Sequence, residues 1–150
     1  MANTYTQIYI MLVFGTKGRN NLITDEHEEE IYKYISGIIR NKAQKLLQIN
    51  GMPDHIHILV SLKPDNSISG LVRDIKSNSS KFINEKKWFV GKFHWQKGFG
   101  AFSYSRSQID DVVHYIKNQK EHHKKISFKE EYKKLLDLYG IEYDERYIFQ

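Results

Sequence analysis

Cysteine is absent from the 150-residue chain, which excludes a disulfide framework and any thiolate-based metal site. Proline occurs only twice. No apolar run approaches the roughly 18 residues of a membrane span. The opening Met1-Ala2-Asn3-Thr4 lacks the basic-then-apolar layout of a secretory signal, so a cytoplasmic, bacterial or archaeal setting is expected. No internal repeat, low-complexity tract or linker interrupts the chain, and residues 1–150 are expected to form a single domain.

What is present is a basic excess of +5 and ten tyrosines interleaved with lysines. The charge permits a polyanionic partner without demanding one, and the aromatic-basic mixture suits stacking on unpaired bases. It suits the core and surface of an ordinary sheet equally well.

Hydrophobic periodicity divides the chain into elements. Residues 5–14 alternate as a strand, with Ile8, Ile10, Leu12 and Phe14 on one side and Gln7, Tyr9 and Met11 on the other. After a loop at Lys17–Asn21, Thr24 or Asp25 is placed to cap a helix carrying Ile31, Ile35, Ile38, Ile39, Ala43, Leu46 and Leu47. Asn50-Gly51 reads as a turn into a second strand over 52–62, with residues 47–50 as a short hairpin partner. Pro64–Ser67 breaks the chain before a helix with Ile68, Leu71, Val72 and Ile75, continuing toward Phe82 and Ile83. Residues 88–100 read as a loop or irregular strand, and 101–104 as a short strand. Ser105 or Ser107 starts a helix reaching about His123, and Ser127 another that ends at Gly140. This order is the α+β, ferredoxin-like (split βαβ) pattern: an antiparallel sheet with helices on one face and a C-terminal helical extension.

The strongest local signal is Asp54-His55-Ile56-His57-Ile58-Leu59-Val60. Strand side chains alternate faces, so His55 and His57 share one side while Ile56, Ile58, Val60 and Leu62 share the other. The apolar side must meet the core, which leaves two imidazoles on the opposite face of a central strand, where they can share one metal ion. The same spacing also suits ordinary polar residues on a half-exposed sheet face.

In the third helix Tyr115 and Gln119 stand four residues apart and lie one above the other, with His122 near the same face. Ile109, Val112 and Ile116 form the anchoring stripe. A phenol has a reference pKa of about 10 and needs a base or cation to attack phosphorus. A divalent ion near Tyr115 would supply that help to phosphoryl transfer. A tyrosine merely resting at a core edge is the plain alternative. Tyr104, four residues before Gln108, is a rival nucleophile, although Ser105-Arg106-Ser107 looks like a helix start and would separate that pair.

Together, Pro53–His57, Gly100–Ser103, the run from Ser107-Gln108 to Tyr115-Ile116-Lys117-Asn118-Gln119-Lys120-Glu121-His122-His123, and Tyr143–Tyr147 resemble the HUH single-tyrosine transposases of small insertion sequences, a superfamily that includes the REP-associated tyrosine transposases. The resemblance runs along essentially the whole chain. It implies His55 and His57 as metal ligands around the hydrophobic Ile56, Tyr115 as nucleophile on the helical extension, and Gln119 as third ligand. It further implies Mg2+ or Mn2+ as cofactor and single-stranded DNA with hairpin ends as partner. A 5′-phosphotyrosine intermediate and a homodimer with composite active sites complete the implied picture. Imidazole ligands sit more naturally with manganese than with magnesium. His114, His122 and His123 are expected to be neighbours or DNA contacts, not ligands.

For gripping DNA, Arg73, Lys76 and Lys81 on the second helix, among serines and Asn78, are the expected phosphate contacts. Lys86, Lys87, Lys92 and Lys97 with Trp88, Phe93 and Trp95 extend that stretch. Two other readings stand beside this one: a domesticated HUH endonuclease acting on chromosomal hairpins, and a non-catalytic ferredoxin-like nucleic-acid-binding domain. The latter calls for aromatics where His55 and His57 stand. A histidine-triad phosphoesterase needs further histidines where Leu59 and Ser61 stand, and a two-histidine phosphoesterase needs a second such motif.

Overall fold

The structure, a computed structural model, describes residues 3–149. Met1 and Ala2 of the N-terminal stretch lie outside the described residues.

Four strands, β1 (Tyr9–Gly15), β2 (Lys45–Met52), β3 (His55–Ser61) and β4 (Gly100–Tyr104), form an antiparallel sheet in the order β2-β3-β1-β4. Helix α1 (Glu28–Asn41) joins β1 to β2, and α2 (Ile68–Lys86) joins β3 to β4. Beyond β4 follow a 3-10 turn over Arg106–Gln108, then α3 (Ile109–Lys117), the single turn α4 (Gln119–His122) and α5 (Phe128–Leu138). This is the split βαβ arrangement the hydrophobic pattern predicts.

The period of two along the strands builds two cores. Ile10, Leu12, Phe14, Ile56, Ile58 and Val60 pack under α1 and α2 with Ile31, Ile35, Ile39, Leu71, Val72 and Ile75. Met11, Val13, Leu59 and Phe102 face the other way and are covered by Ile109, Val112 and Ile116 of α3 and by Phe128, Tyr132, Leu135 and Leu136 of α5. The sheet is therefore roofed on both sides, and the C-terminal extension is the second roof.

Several boundaries differ from the sequence pattern. The first strand starts at Tyr9 rather than Tyr5. Helix α1 begins after His27, because Thr24 forms a turn by accepting at its carbonyl from the His27 and Glu28 amides. It ends before Ala43, whose left-handed φ of 58° stops it, so Leu46 and Leu47 belong to β2. Asn50-Gly51 lies within β2; the chain reverses at Pro53-Asp54. The helix expected to run to His123 breaks at Asn118.

Candidate active site

β3 supplies the histidines. His57 pairs with Val13 on β1 and with Asn50 on β2, and His55 pairs with Gly15 and Met52, so both sit at the centre of the sheet. Both are fully buried, with 0% of their surface exposed, because α3, α4 and α5 close over that face. The half-exposed sheet surface that an ordinary polar pair would occupy is absent here. Gly15 is what lets the roof come this close: a Cβ there would lie 2.7 Å from the Phe128 ring. Phe128 instead stacks on His55 at 4.1 Å between centroids.

The His55 ring is fixed by Asp54, whose Oδ1 lies 2.7 Å from Nδ1, leaving Nε2 turned inward. A carboxylate behind a histidine in this way holds the tautomer that offers Nε2 as a ligand. Nε2 of His55 meets Oε1 of Gln119 at 3.1 Å. Gln119 is fully buried and donates from Nε2 to Oε2 of Glu131 at 2.9 Å.

Glu131, on α5, is the residue the sequence pattern missed. Its Oε1 lies 2.9 Å from Nε2 of His57 and 2.9 Å from Nε2 of His123, and its Oε2 accepts a hydrogen bond from the Tyr115 hydroxyl. Nε2 of His122 is 3.4 Å from Oε2. His123, expected to be a neighbour or DNA contact and not a ligand, belongs to the centre: ligand atoms of His55, His57, His123 and Glu131 all lie within 4.8 Å of one another. His114 does not; it is exposed and bonds Asn118 at 2.8 Å. In the sequence, Glu131 gave one signal, a lone acid on the apolar face between Phe128, Tyr132 and Leu135.

A buried carboxylate among imidazoles sets the local charge. Burial opposes ionisation of Glu131, but His57, His123 and His55 outweigh it and hold the carboxyl far below its ordinary range. Burial lowers the pKa of His57 and prevails over the attraction of Glu131. Burial also works against charge on His55, yet hydrogen bonding of its ring to the Asp54 and Glu131 carboxylates, which accept, reverses the sign and raises it. The Tyr115 phenol is raised well above 10, first by burial and then by the Glu131 charge, with Gln119 pulling the other way. Nδ1 of His57 is buried without a hydrogen-bond partner among the described residues.

The donor set of imidazole nitrogens, one carboxylate and one amide oxygen, all convergent, fits a divalent transition ion. It fits Mg2+ less well, since that ion prefers oxygen ligands and retained waters.

Tyr115 and Gln119 are brought together despite the break between them. Asn50 on β2, paired with His57, donates from Nδ2 to the carbonyls of Ile116 and Lys117, both at 3.1 Å. These are the last carbonyls of α3, which have no successor in the helix to bond them. Lys120, just past the break, donates to Oδ1 of Asn50 at 3.1 Å and to the Gly51 carbonyl, and pairs with Glu28 of α1 at 3.0 Å. One strand residue thus ties down both sides of the break. Tyr104 is engaged elsewhere, accepting from the Tyr139 hydroxyl at 2.8 Å, and Gln108 closes a capping box with Ser105.

The expected DNA contacts divide. Arg73 and Lys81 are exposed on α2. Lys76 is turned inward: Nζ donates to the carbonyls of Gln96 at 2.8 Å, Lys97 at 3.3 Å and Gly98 at 2.7 Å, and lies over the Phe14 ring. Its partial burial pushes its pKa down to about 8. Lys76 pins the 94–99 loop against α2, with Trp95 Nε1 donating to Ser79 as a second pin. Together they shape a groove of about 470 Å³ rimmed by Arg73, Ser77, Ser80, His94 and Lys97.

A family model described as IS200-like transposase matches residues 4–119. The ISDra2 transposase TnpA of Deinococcus radiodurans is 22% identical over 120 residues, covering 75% of this chain and 84% of that protein. Among solved structures, one described as a Deinococcus radiodurans transposase superposes with a TM-score of 0.63 at 21% identity, covering 79% of this chain and 95% of that one. A REP-associated tyrosine transposase bound to a REP hairpin gives a TM-score of 0.63 at 16% identity, covering 82% and 73%.

Proposed function

The chain belongs to the IS200-like transposase family, and on that premise we propose that it cuts and rejoins single-stranded DNA through Tyr115, acting as one HUH domain over residues 1–150. The observation that carries this reading is the convergence of the Tyr115 hydroxyl with His55, His57 and Gln119 around Glu131 in one chain.

In the proposed reaction, Oη of Tyr115 attacks the scissile phosphorus. The bond to the 3′ oxygen breaks, and that oxygen leaves as a hydroxyl, so that the proton lost by the phenol is balanced by the one the leaving oxygen gains. The DNA 5′ end is then held as a phosphotyrosine, and attack by another 3′ hydroxyl restores a phosphodiester without ATP. Glu131 holds the phenol in line with the histidine strand, and Asp54 holds the His55 ring. A bound Mn2+ or Mg2+ would polarise the phosphate and offset charge developing on its oxygens. His55, His57 and Gln119 would hold it, with Glu131 and His123 as further donors; the nitrogen-rich set favours Mn2+.

For binding, the groove beside Arg73, with Lys81 nearby on α2, offers guanidinium, ammonium and hydroxyl groups suited to phosphates. A structural relative that holds a REP hairpin supports hairpin-ended DNA as the partner. We include in the proposal a homodimer with composite sites, in which the tyrosine helix of one subunit completes the histidine site of the other. Mixing Tyr115→Phe and His57→Ala chains tests it: restored activity requires exchange, and an inactive mixture rules exchange out.

The test of the reaction is incubation with labelled single-stranded hairpin DNA and Mn2+, resolved on a denaturing gel. A covalent adduct, lost in Tyr115→Phe while DNA binding persists, is expected. An adduct formed only on duplex DNA, or none at all, contradicts the reading.

A further inference from the structure

A second cavity, of about 250 Å³, opens directly against Tyr115. Its walls are Tyr104 from β4, Leu135 and Leu138 of α5, and Tyr139 just beyond. The rings of Tyr104 and Tyr139 stand 6.0 Å apart at 86°, fixed by the hydrogen bond between their hydroxyls. Leu138 is 72% exposed and Tyr139 40% exposed, so apolar and aromatic surface is left open beside the reactive phenol.

At the rim stand Gln108 and Asp111. Gln108 uses Oε1 to accept from Ser105, and its Nε2 has no partner among the described residues. Asp111 is exposed and, among the described residues, is the one charged residue lining the cavity. A negative rim repels a phosphate. A neutral, planar group with apolar faces and a hydrogen-bonding edge fits both the aromatic wall and the rim.

We propose that this cavity holds the unpaired base of the nucleotide adjoining the scissile phosphate, and that it favours bases carrying an exocyclic amine. The inference rests on the single-strand reaction proposed for Tyr115, which places a phosphorus at that phenol and therefore a neighbouring base within one nucleotide's reach. Aromatic walls stack with any base. Asp111 adds selectivity by accepting from the amine of adenine, cytosine or guanine, whereas thymine has no exocyclic amine and flanks its one ring N–H with two carbonyl oxygens that the carboxylate repels.

A randomised substrate makes the test independent of any particular hairpin sequence. The protein is incubated with Mn2+ and a single-stranded DNA pool of random sequence, the covalent adducts are recovered, and the bases flanking the break are sequenced. In the wild type, one flanking position is expected to favour amine-bearing bases over thymine by roughly tenfold, the low end of what a base-edge contact discriminates. Tyr139→Ala should reduce that preference to less than twofold at that position alone. Leu138→Ser, on a largely exposed side chain that the fold does not need, is the second variant and should weaken the preference in the same direction. Asp111→Asn should admit thymine. Adducts whose flanking bases are distributed identically in wild type and variants overturn the base pocket while leaving the tyrosine reaction standing. Failure of the wild type to form any adduct overturns both.

Discussion

The hydroxyl of Tyr115 donates a hydrogen bond to Oε2 of Glu131, whose other oxygen meets His57 and His123. A single carboxylate therefore links the proposed nucleophile on α3 to the histidine strand. It belongs to a helix beyond the segment matched by the family model, which ends at residue 119. Without a cation, this bond favours the protonated phenol, since burial and then the Glu131 charge both raise its pKa.

Replacing Glu131 by Gln should lower stability at neutral pH by about 3 kcal/mol, the scale of breaking a buried charged network. Because the folded carboxyl titrates below its ordinary value of 4.5, its contribution is present above that pH and fades as pH falls beneath it. Denaturant titrations in metal-free buffer between pH 3 and pH 7, in roughly one-unit steps, should show a steep acid loss in the wild type and a shallower one in Glu131→Gln. Parallel acid limbs would show that Glu131 does not carry this charge.

Manganese should stabilise the folded chain. At about a hundredfold excess over Kd, binding contributes about 2.7 kcal/mol, or roughly 5–10 °C in Tm for a chain of this size. His55→Ala and His57→Ala should abolish the shift. His123→Ala should shrink it, since loss of a supporting donor commonly weakens affinity by about 10- to 100-fold. A full shift in His123→Ala would confine the ligand set to His55, His57, Gln119 and Glu131.

Asn50→Leu removes two hydrogen bonds to the end of α3 and should cost about 2 kcal/mol. Its larger effect should be on chemistry, because Tyr115 and Gln119 lose their fixed register with His57. DNA affinity should hold while the adduct rate falls at least about tenfold, equivalent to about 1.4 kcal/mol of barrier. Equal losses in binding and rate would mean that Asn50 supports the fold generally.

Salt dependence separates the basic residues. Arg73→Ala and Lys81→Ala should each reduce the slope of log affinity against log salt by about 0.7–0.9, with unchanged Tm. Lys76→Ala should lower Tm instead, since it releases the carbonyls of Gln96, Lys97 and Gly98. An unchanged Tm in Lys76→Ala would place that ammonium on the DNA after all.

Much of this arrangement is legible in the residues themselves. Alternation in Ile56, Ile58 and Val60 places the histidines on one face, and helical spacing places Ile109, Val112 and Ile116 beneath Tyr115. Local pattern does not reveal that the second face is buried, because α3 and α5 reach it only through tertiary packing. The break at Asn118 is likewise hidden, since it is stabilised by Asn50, 66 residues before Ile116. Glu131 is marked only by its place on the apolar face of α5, and its partners emerge when α5 is laid over β3. Lys76 reads as a surface cation because nothing in the sequence shows that the 94–99 loop folds back over it.

The central claim, that Tyr115 is the nucleophile, is tested most directly by mass spectrometry of the covalent protein–DNA adduct formed with Mn2+ and digested to peptides and residual nucleotide. The nucleotide mass is predicted on the peptide containing Tyr115, joined through its phenol. The same mass on the peptide containing Tyr104 would contradict the account.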